Sequence, residues 1–250
     1  MAVKVLALDF DGVIWNTQRE SYHVSQIVWE EMFGRRALCS EQTFLSGRWL
    51  ARAGEEFALI MLLAEEMRKK EPGRESFDLS SFSLSEFTRR AEENGGLLSS
   101  FGKNLADMRI KMRESDLRRW LGWQNIYAGI KDAVDSARAR GIGIAVCTTK
   151  DKSSAEALLD TVGLKLPIWG KECSLDKRIT LQKLIAGFQA EASEVLFVDD
   201  LLNNLLHVRP LGTNLAMASW GYNVEASRRE ARRLGIEVLN SPREIVGLLS

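Results

Sequence analysis

Three short apolar runs along this chain each stop at a polar or acidic residue. Val3 to Leu8 runs into Asp9, Ile142 to Cys147 into Thr148, and Val195 to Val198 into Asp199. Within each run apolarity is near-continuous rather than alternating, the pattern of a strand covered on both faces, and this predicts a parallel sheet. Asn214 to Ala218 and Ile236 to Leu239 are further strand candidates. Between the runs the apolar spacing turns helical: Ile130 to Arg140 stops at Gly141, Ser153 to Val162 stops at Gly163, and Ile179 to Phe188 and a short Asn203 to Val208 follow. From about Gly122 to Ser250 the chain reads as successive βα units. Right-handed crossovers wind such units into an α/β fold with a doubly wound parallel sheet.

The stretch between differs. Helical periodicities cover Val24 to Phe33, Phe57 to Met67, Phe87 to Glu93 and Leu105 to Trp120, with almost no strand pattern. A segment rich in Glu, Ser, Pro and Gly, Glu71 to Ser83, interrupts them and is where composition predicts disorder. The expected organisation is an α/β core of residues 1–16 and 121–250 with an inserted all-helical cap domain, 17–120, over the sheet's carboxyl edge.

A length of 250 residues suits one core domain plus an insertion. Lys+Arg and Asp+Glu both number 34, so no net field draws the chain to nucleic acid or membrane. No apolar stretch approaches the roughly 18 residues of a membrane span, and the apolar start is too short for a signal segment. Cys39, Cys147 and Cys173 are odd in number and lack CxxC spacing, which suits a reducing compartment. These features predict a cytoplasmic protein, monomer or homodimer, with neither a nucleic-acid nor a membrane partner.

The strand ends carry the candidate chemistry, and the carboxyl edge of an open parallel sheet is where ligands bind. Along an extended end, Asp9 and Asp11 point the same way. One carboxylate could attack phosphorus while the other shuttles a proton. The same Asp-x-Asp-Gly is also a turn or Ca²⁺-loop fragment, although no further ligands follow at loop spacing. Asp199 and Asp200 are costly at a strand end unless they meet a cation, and with Asp9 they form the hard oxygen set that Mg²⁺ prefers. Otherwise they could cap a helix. Asn204, a helical turn on, could orient a metal-bound carboxylate. Thr148 could cap the following helix or hold a phosphoryl oxygen, and the two roles are compatible. Thr149 beside it is a candidate substrate contact. Lys177, with Lys171 and Lys183 as rivals, is placed to reach over the acids and offset phosphoryl charge.

In these pieces the chain resembles the haloacid dehalogenase superfamily, in its phosphoglycolate-phosphatase-like branch with a helical cap. Leu8-Asp9-Phe10-Asp11-Gly12-Val13-Ile14 is similar to its first motif and Val146-Cys147-Thr148-Thr149-Lys150 to its second. Lys177 matches the third, and Phe197-Val198-Asp199-Asp200 with Asn204 the acidic fourth. Tyr127-Ala128-Gly129 and Trp220-Gly221-Tyr222 also look like this branch. The resemblance implies that Asp9 is the nucleophile and Asp11 the general acid/base. It further implies Mg²⁺ held by Asp9, the Asp11 carbonyl and the Asp199–Asp200 pair, with Thr148 and Lys177 gripping the phosphoryl group. Many relatives have Gly-Asp and a further Asp at the fourth motif, so which of Asp199 and Asp200 binds metal directly stays open. In this cap type a residue near the second cap helix often reaches the active site, and Arg48 is the best match, suited to a substrate carboxylate or second phosphate.

The expected function is therefore a Mg²⁺-dependent phosphatase for a small phosphorylated metabolite. A phosphomutase shares every core motif and is the alternative among enzymes; Tyr22-His23 resembles the sugar-phosphate mutases, at a different spacing from Asp11. A catalytically silent phosphometabolite-binding protein is the alternative from another class, against which stands the presence of both Asp9 and Asp11.

Overall fold

A computed structural model describes residues 2–249 of the chain. It divides into two compact units: residues up to Asn16 together with those from Asn125 onward, and Thr17–Gln124. The second unit holds the helices α1 (Gln18–Phe33), α2 (Glu41–Gly47), α3 (Phe57–Lys70), α4 (Leu84–Glu93), α5 (Gly95–Ser115) and α6 (Leu117–Leu121). Their apolar stripes converge on Val28, Trp29, Phe44, Ile60, Phe87, Phe101 and Trp120, all buried. Within this core, Arg109 donates twice to Glu20, at 2.7 Å to each carboxylate oxygen, and Trp120 Nε1 donates to the same carboxylate at 3.1 Å. A desolvated pair needs such extra donors to offset the loss of water.

Three expectations for this unit change. The periodicity from Leu105 to Trp120 is two helices, because Asp116 breaks it and its carboxylate accepts from Arg119 N at 3.3 Å to start α6. The 71–83 segment is a loop with its own anchors: Phe77 and Leu79 are buried, and their backbone N–H groups donate to Thr43 and Ser46 hydroxyls at 2.8 and 2.9 Å. Two apolar side chains in a polar stretch are enough to seat it. The units divide after Gln124 rather than at 120/121, since Trp120 belongs to the helical core and Gln124 Nε2 donates to its carbonyl at 3.1 Å.

In the first unit, the strands are β1 (Val5–Leu8), β2 (Trp15–Asn16), β3 (Asn125–Ile126), β4 (Gly143–Cys147), β5 (Ile168–Trp169), β6 (Val195–Asp199), β7 (Asn214–Ala218) and β8 (Glu237–Leu239). Among the described residues a six-stranded parallel sheet runs β5-β4-β1-β6-β7-β8, while β2 and β3 pair antiparallel. This is the α/β, doubly wound sheet read from the apolar runs. The helices are α7 (Ile130–Ala139), α8 (Lys152–Thr161), α9 (Lys177–Gly187), α10 (Leu202–Val208) and α11 (Glu225–Arg233). On one face Val5, Ala7, Ala145, Val195 and Phe197 pack with Leu181 and Leu184 of α9, Leu205 of α10 and Ala231 of α11. The oppositely directed Leu6, Leu8, Val146 and Val198 are equally buried, so both faces are covered, which explains why the strands read as continuous apolar runs. Each fully buried Leu or Val side chain is worth about 1.5–3 kcal/mol against exposure.

Candidate active site

Strand register builds the site. β1 pairs with β6 so that Leu8 lies opposite Val198, and Asp9 N donates to the Val198 carbonyl at 2.9 Å. The next residues, Asp9 and Asp199, therefore leave the sheet side by side. β4 on the other flank of β1 aligns Leu8 with Val146, which brings Thr148 to the same edge. The order of strands reverses at β1, the place where loops diverge and a crevice opens.

Into this crevice the first turn of α9 sends Lys177. Its ammonium lies 2.6 Å from Asp9 Oδ2 and also pairs with Asp199 Oδ2, and all three side chains are buried. Burial alone would push the Lys177 ammonium down, but Asp199 and Asp9 override it and hold its pKa above the ordinary value. Lys177 is therefore a fixed cation. Asp9 is driven the other way: burial raises its carboxyl to about 7, with Asp199 and Asp11 adding to the rise and Lys177 opposing it. Asp199 is held further by Leu201 N at 2.8 Å and Asn204 Nδ2 at 3.1 and 3.2 Å. Lys183, a rival for the same role, donates instead to the Cys173 carbonyl at 3.1 Å.

Asp200 turns toward a different wall. Its Oδ2 accepts from Tyr222 N at 2.6 Å. A Cβ on Gly221 would lie 2.3 Å from Asp200 Cβ, and one on Gly12, where φ is +88°, would lie 2.2 Å from Asp200 Oδ2. These two glycines form a cradle that closes around the carboxylate and tolerates no side chain. Tyr222 Oη and Trp220 Nε1 fasten the cradle, donating to the Trp15 and Val13 carbonyls at 3.2 and 3.1 Å. Asp9, Asp199 and Asp200 offer carboxylate oxygens within 4.8 Å of one another. Three buried carboxylates face one ammonium, so the set carries an excess of negative charge, and its all-oxygen donors suit a hard divalent cation.

Asp11 sits in the turn between β1 and β2, within reach of Asp9 electrostatically. Thr148 is buried, its N–H donating to the Trp169 carbonyl at 3.0 Å and its Oγ1 accepting from Lys150 N at 3.1 Å. It is not the cap of α8; that is Asp151, which accepts from Ser154 N at 2.8 Å. Thr149 follows at the same strand end, half-buried. Arg48 lies in the helical unit, buried, where Nη1 donates to the Ala51 carbonyl at 2.7 Å and the guanidinium stacks 4.7 Å from the Phe57 ring centre. His23 stacks on Trp123 in that unit, ring centres 4.6 Å apart. Lys150, which closes the stretch similar to the second motif but carries no role in the sequence reading, has its ammonium buried, 3.3 Å from Asp11 Oδ1. Its signal in the sequence is its place in that motif, two residues past Thr148 at a strand end.

Residues 3–212 match the family model for haloacid dehalogenase-like hydrolases. The chain belongs to that family. It is 29% identical over 111 residues to the phosphoglycolate phosphatase of Rhodospirillum rubrum, a match covering 42% of this chain and 46% of that protein, so it spans less than half the relative's length. Among solved structures it is similar to a protein from Haemophilus somnus described as a predicted phosphoglycolate phosphatase, with TM-score 0.68 and 14% identity over 99% of this chain and 98% of that one. It is also similar to a hydrolase of this superfamily, subfamily IA, from Geobacter sulfurreducens, with TM-score 0.56 and 16% identity over 99% and 97% of the two chains. At such identities the structural likeness establishes the fold, which is the haloacid dehalogenase-like one.

Proposed function

We propose that the protein is a Mg²⁺-dependent phosphatase that hydrolyses a small phosphate monoester through an aspartyl-phosphate on Asp9. The observation that carries this reading is the buried contact of Lys177 with Asp9 and Asp199, beside Asp200, at the carboxyl edge of the sheet. Lys177 keeps the Asp9 carboxylate oriented and offers positive charge to the phosphoryl oxygens. Asp9 forms a bond to phosphorus as the bond to the leaving oxygen breaks, and Asp11 supplies that oxygen with a proton. Asp11 then takes a proton from the water that attacks the aspartyl-phosphate, which frees Asp9 and releases phosphate. The Thr148 hydroxyl and neighbouring N–H groups hold phosphoryl oxygens, with Thr149 beside them at the substrate.

Asp9, the Asp11 carbonyl and the Asp199–Asp200 pair would hold Mg²⁺, which when bound offsets charge on the phosphoryl group. Within the pair the roles divide. Asp199 already accepts from Leu201, Asn204 and Lys177, so it anchors the lysine, and Asp200 in its glycine cradle is the direct ligand. The name of the Rhodospirillum rubrum relative makes phosphoglycolate the first substrate to try.

Screening the purified protein against a panel of phosphate esters, with Mg²⁺ and with chelator, tests the reading. Turnover should require Mg²⁺, and Asp9→Asn should fall to below about a thousandth of wild type while remaining folded, since the amide fills the same volume but cannot attack phosphorus. No hydrolysis of any ester by wild type, or an active Asp9→Asn, would sink it.

A further inference from the structure

Lys150 is a buried charge that the proposed chemistry leaves unused. Its side chain has no exposed surface, although the Asp11 carboxylate that it meets at 3.3 Å is 19% exposed. The backbone around it is fixed on both sides. Lys150 N donates to Thr148 Oγ1 at 3.1 Å, and its carbonyl accepts from Lys171 N at 3.0 Å. Gly170 packs so tightly there that a Cβ on it would lie 2.9 Å from the Lys150 carbonyl. The stem passes the Phe10 ring, with the ammonium 5.9 Å from its centre. A fully buried ammonium is costly unless it meets an anion, and the anion placed for it is Asp11. Being shut off from solvent, Lys150 is poorly placed to touch a substrate. It can act on the reaction through Asp11.

We propose that Lys150 is the positioning residue for Asp11, holding its carboxyl group where the leaving oxygen must receive a proton. The proposal rests on the phosphatase reading above. In the step concerned, Asp11 enters carrying the proton it took from water in the preceding turnover or from solvent, with its other oxygen still accepting from Lys150. Asp9 bonds to phosphorus, the bond from phosphorus to the leaving oxygen breaks, and that oxygen takes the proton from Asp11. The leaving group departs as a neutral alcohol, and Asp11 is left as a carboxylate beside the Lys150 ammonium. Asp11 stands on a partly exposed turn, where a short side chain can rotate away. A cation held from behind by a rigid strand end restricts it to one direction, and a small misplacement of a catalytic group is expensive in rate.

The test exploits the difference between leaving groups. An alkoxide needs a proton to depart, whereas p-nitrophenolate leaves readily without one. Lys150→Met keeps the length and burial of the side chain and removes the charge. Its kcat/KM should fall roughly 10²-fold on an alkyl phosphate but less than about threefold on p-nitrophenyl phosphate, the selective loss expected for a general acid out of place. Lys150→Arg, which restores the cation, should recover part of the selective loss. In an Asp11→Asn background, Lys150→Met should cost little more, because nothing remains to be positioned. Should Lys150→Met fail to fold, Lys150→Gln, which keeps a donor in the buried slot, carries the same comparison. Equal losses on both esters, or an unchanged rate on the alkyl ester, would overturn the proposal. A wild-type protein that hydrolyses neither ester would instead remove the phosphatase reading on which it stands.

Discussion

Asp199 has no exposed surface, and the protein supports its charge by spending donors from three directions: Lys177, the Leu201 N–H and Asn204. Asp200, one residue on, is wrapped by backbone instead, with the Tyr222 N–H on one oxygen and two glycines where side chains would collide. Their neutral isosteres should therefore fail differently. Asp199→Asn strips a buried ammonium of one of its two carboxylates and should cost about 3 kcal/mol of stability, the lower end for a broken buried pair because Asp9 remains. Asp200→Asn should unfold near the wild-type temperature but lose most Mg²⁺ affinity. Calorimetric melting and Mg²⁺ titration of the two variants check this; reversed phenotypes would assign the metal to Asp199. These acids are legible in sequence because an apolar run that stops at a carboxylate puts it at a sheet edge. The burial of Lys150 is not, since a lysine among Thr148, Thr149 and Asp151 looks like any solvated charge, yet its side chain is shut off from solvent against Asp11.

At the scale of elements, legibility follows the presence of an apolar stripe. Helices α7, α8 and α9 carry one and stand near their expected positions. α11 buries Ala231 within a run of Glu and Arg, and β5 is two residues long, so neither leaves a pattern to read. α2 is short and starts on a Ser40 cap. The turn after α2 bears on Arg48, whose guanidinium is committed to the Ala51 carbonyl and the Phe57 ring. Its truncation should act first on the helical unit. We expect Arg48→Ala to lower stability by about 1–3 kcal/mol, through the lost charge-assisted bond and ring contact, and to change KM alike for aryl phosphates and for substrates with a second anionic group. Melting temperature and paired KM measurements decide it. A rise in KM of one or two orders of magnitude confined to the doubly anionic substrate would give Arg48 the substrate contact proposed from its place in the sequence.

Over the whole molecule the charges cancel, with 34 of each sign, yet the strand ends concentrate carboxylates where water is scarce. The division into a helical unit and a parallel-sheet unit is readable because the period of apolar residues changes along the chain. The substrate is not, because the motifs bear on a phosphoryl group that every phosphate ester shares. Concentrated buried charge has a consequence for the metal. Burial raises Asp9 from an ordinary 3.8 to about 7, so between those values the folded protein keeps a proton that the unfolded chain has released. This group's contribution to stability thus falls as pH rises from about 4 to 7 in the metal-free protein. A cation that binds the Asp9 carboxylate must displace that proton. Mg²⁺ affinity should therefore weaken by up to about tenfold per pH unit below 7 and level off above it, while Lys177 stays charged throughout. Titrations at pH 6 and pH 8 should differ by about an order of magnitude, and calorimetry in buffers of different ionisation enthalpy should show proton release at pH 6 and little at pH 8. In Asp9→Asn, which binds more weakly at both values, the difference between them should shrink to near nothing. Equal affinity at pH 6 and pH 8 in the wild type would mean that Asp9 is already ionised and that Lys177, not burial, governs its charge.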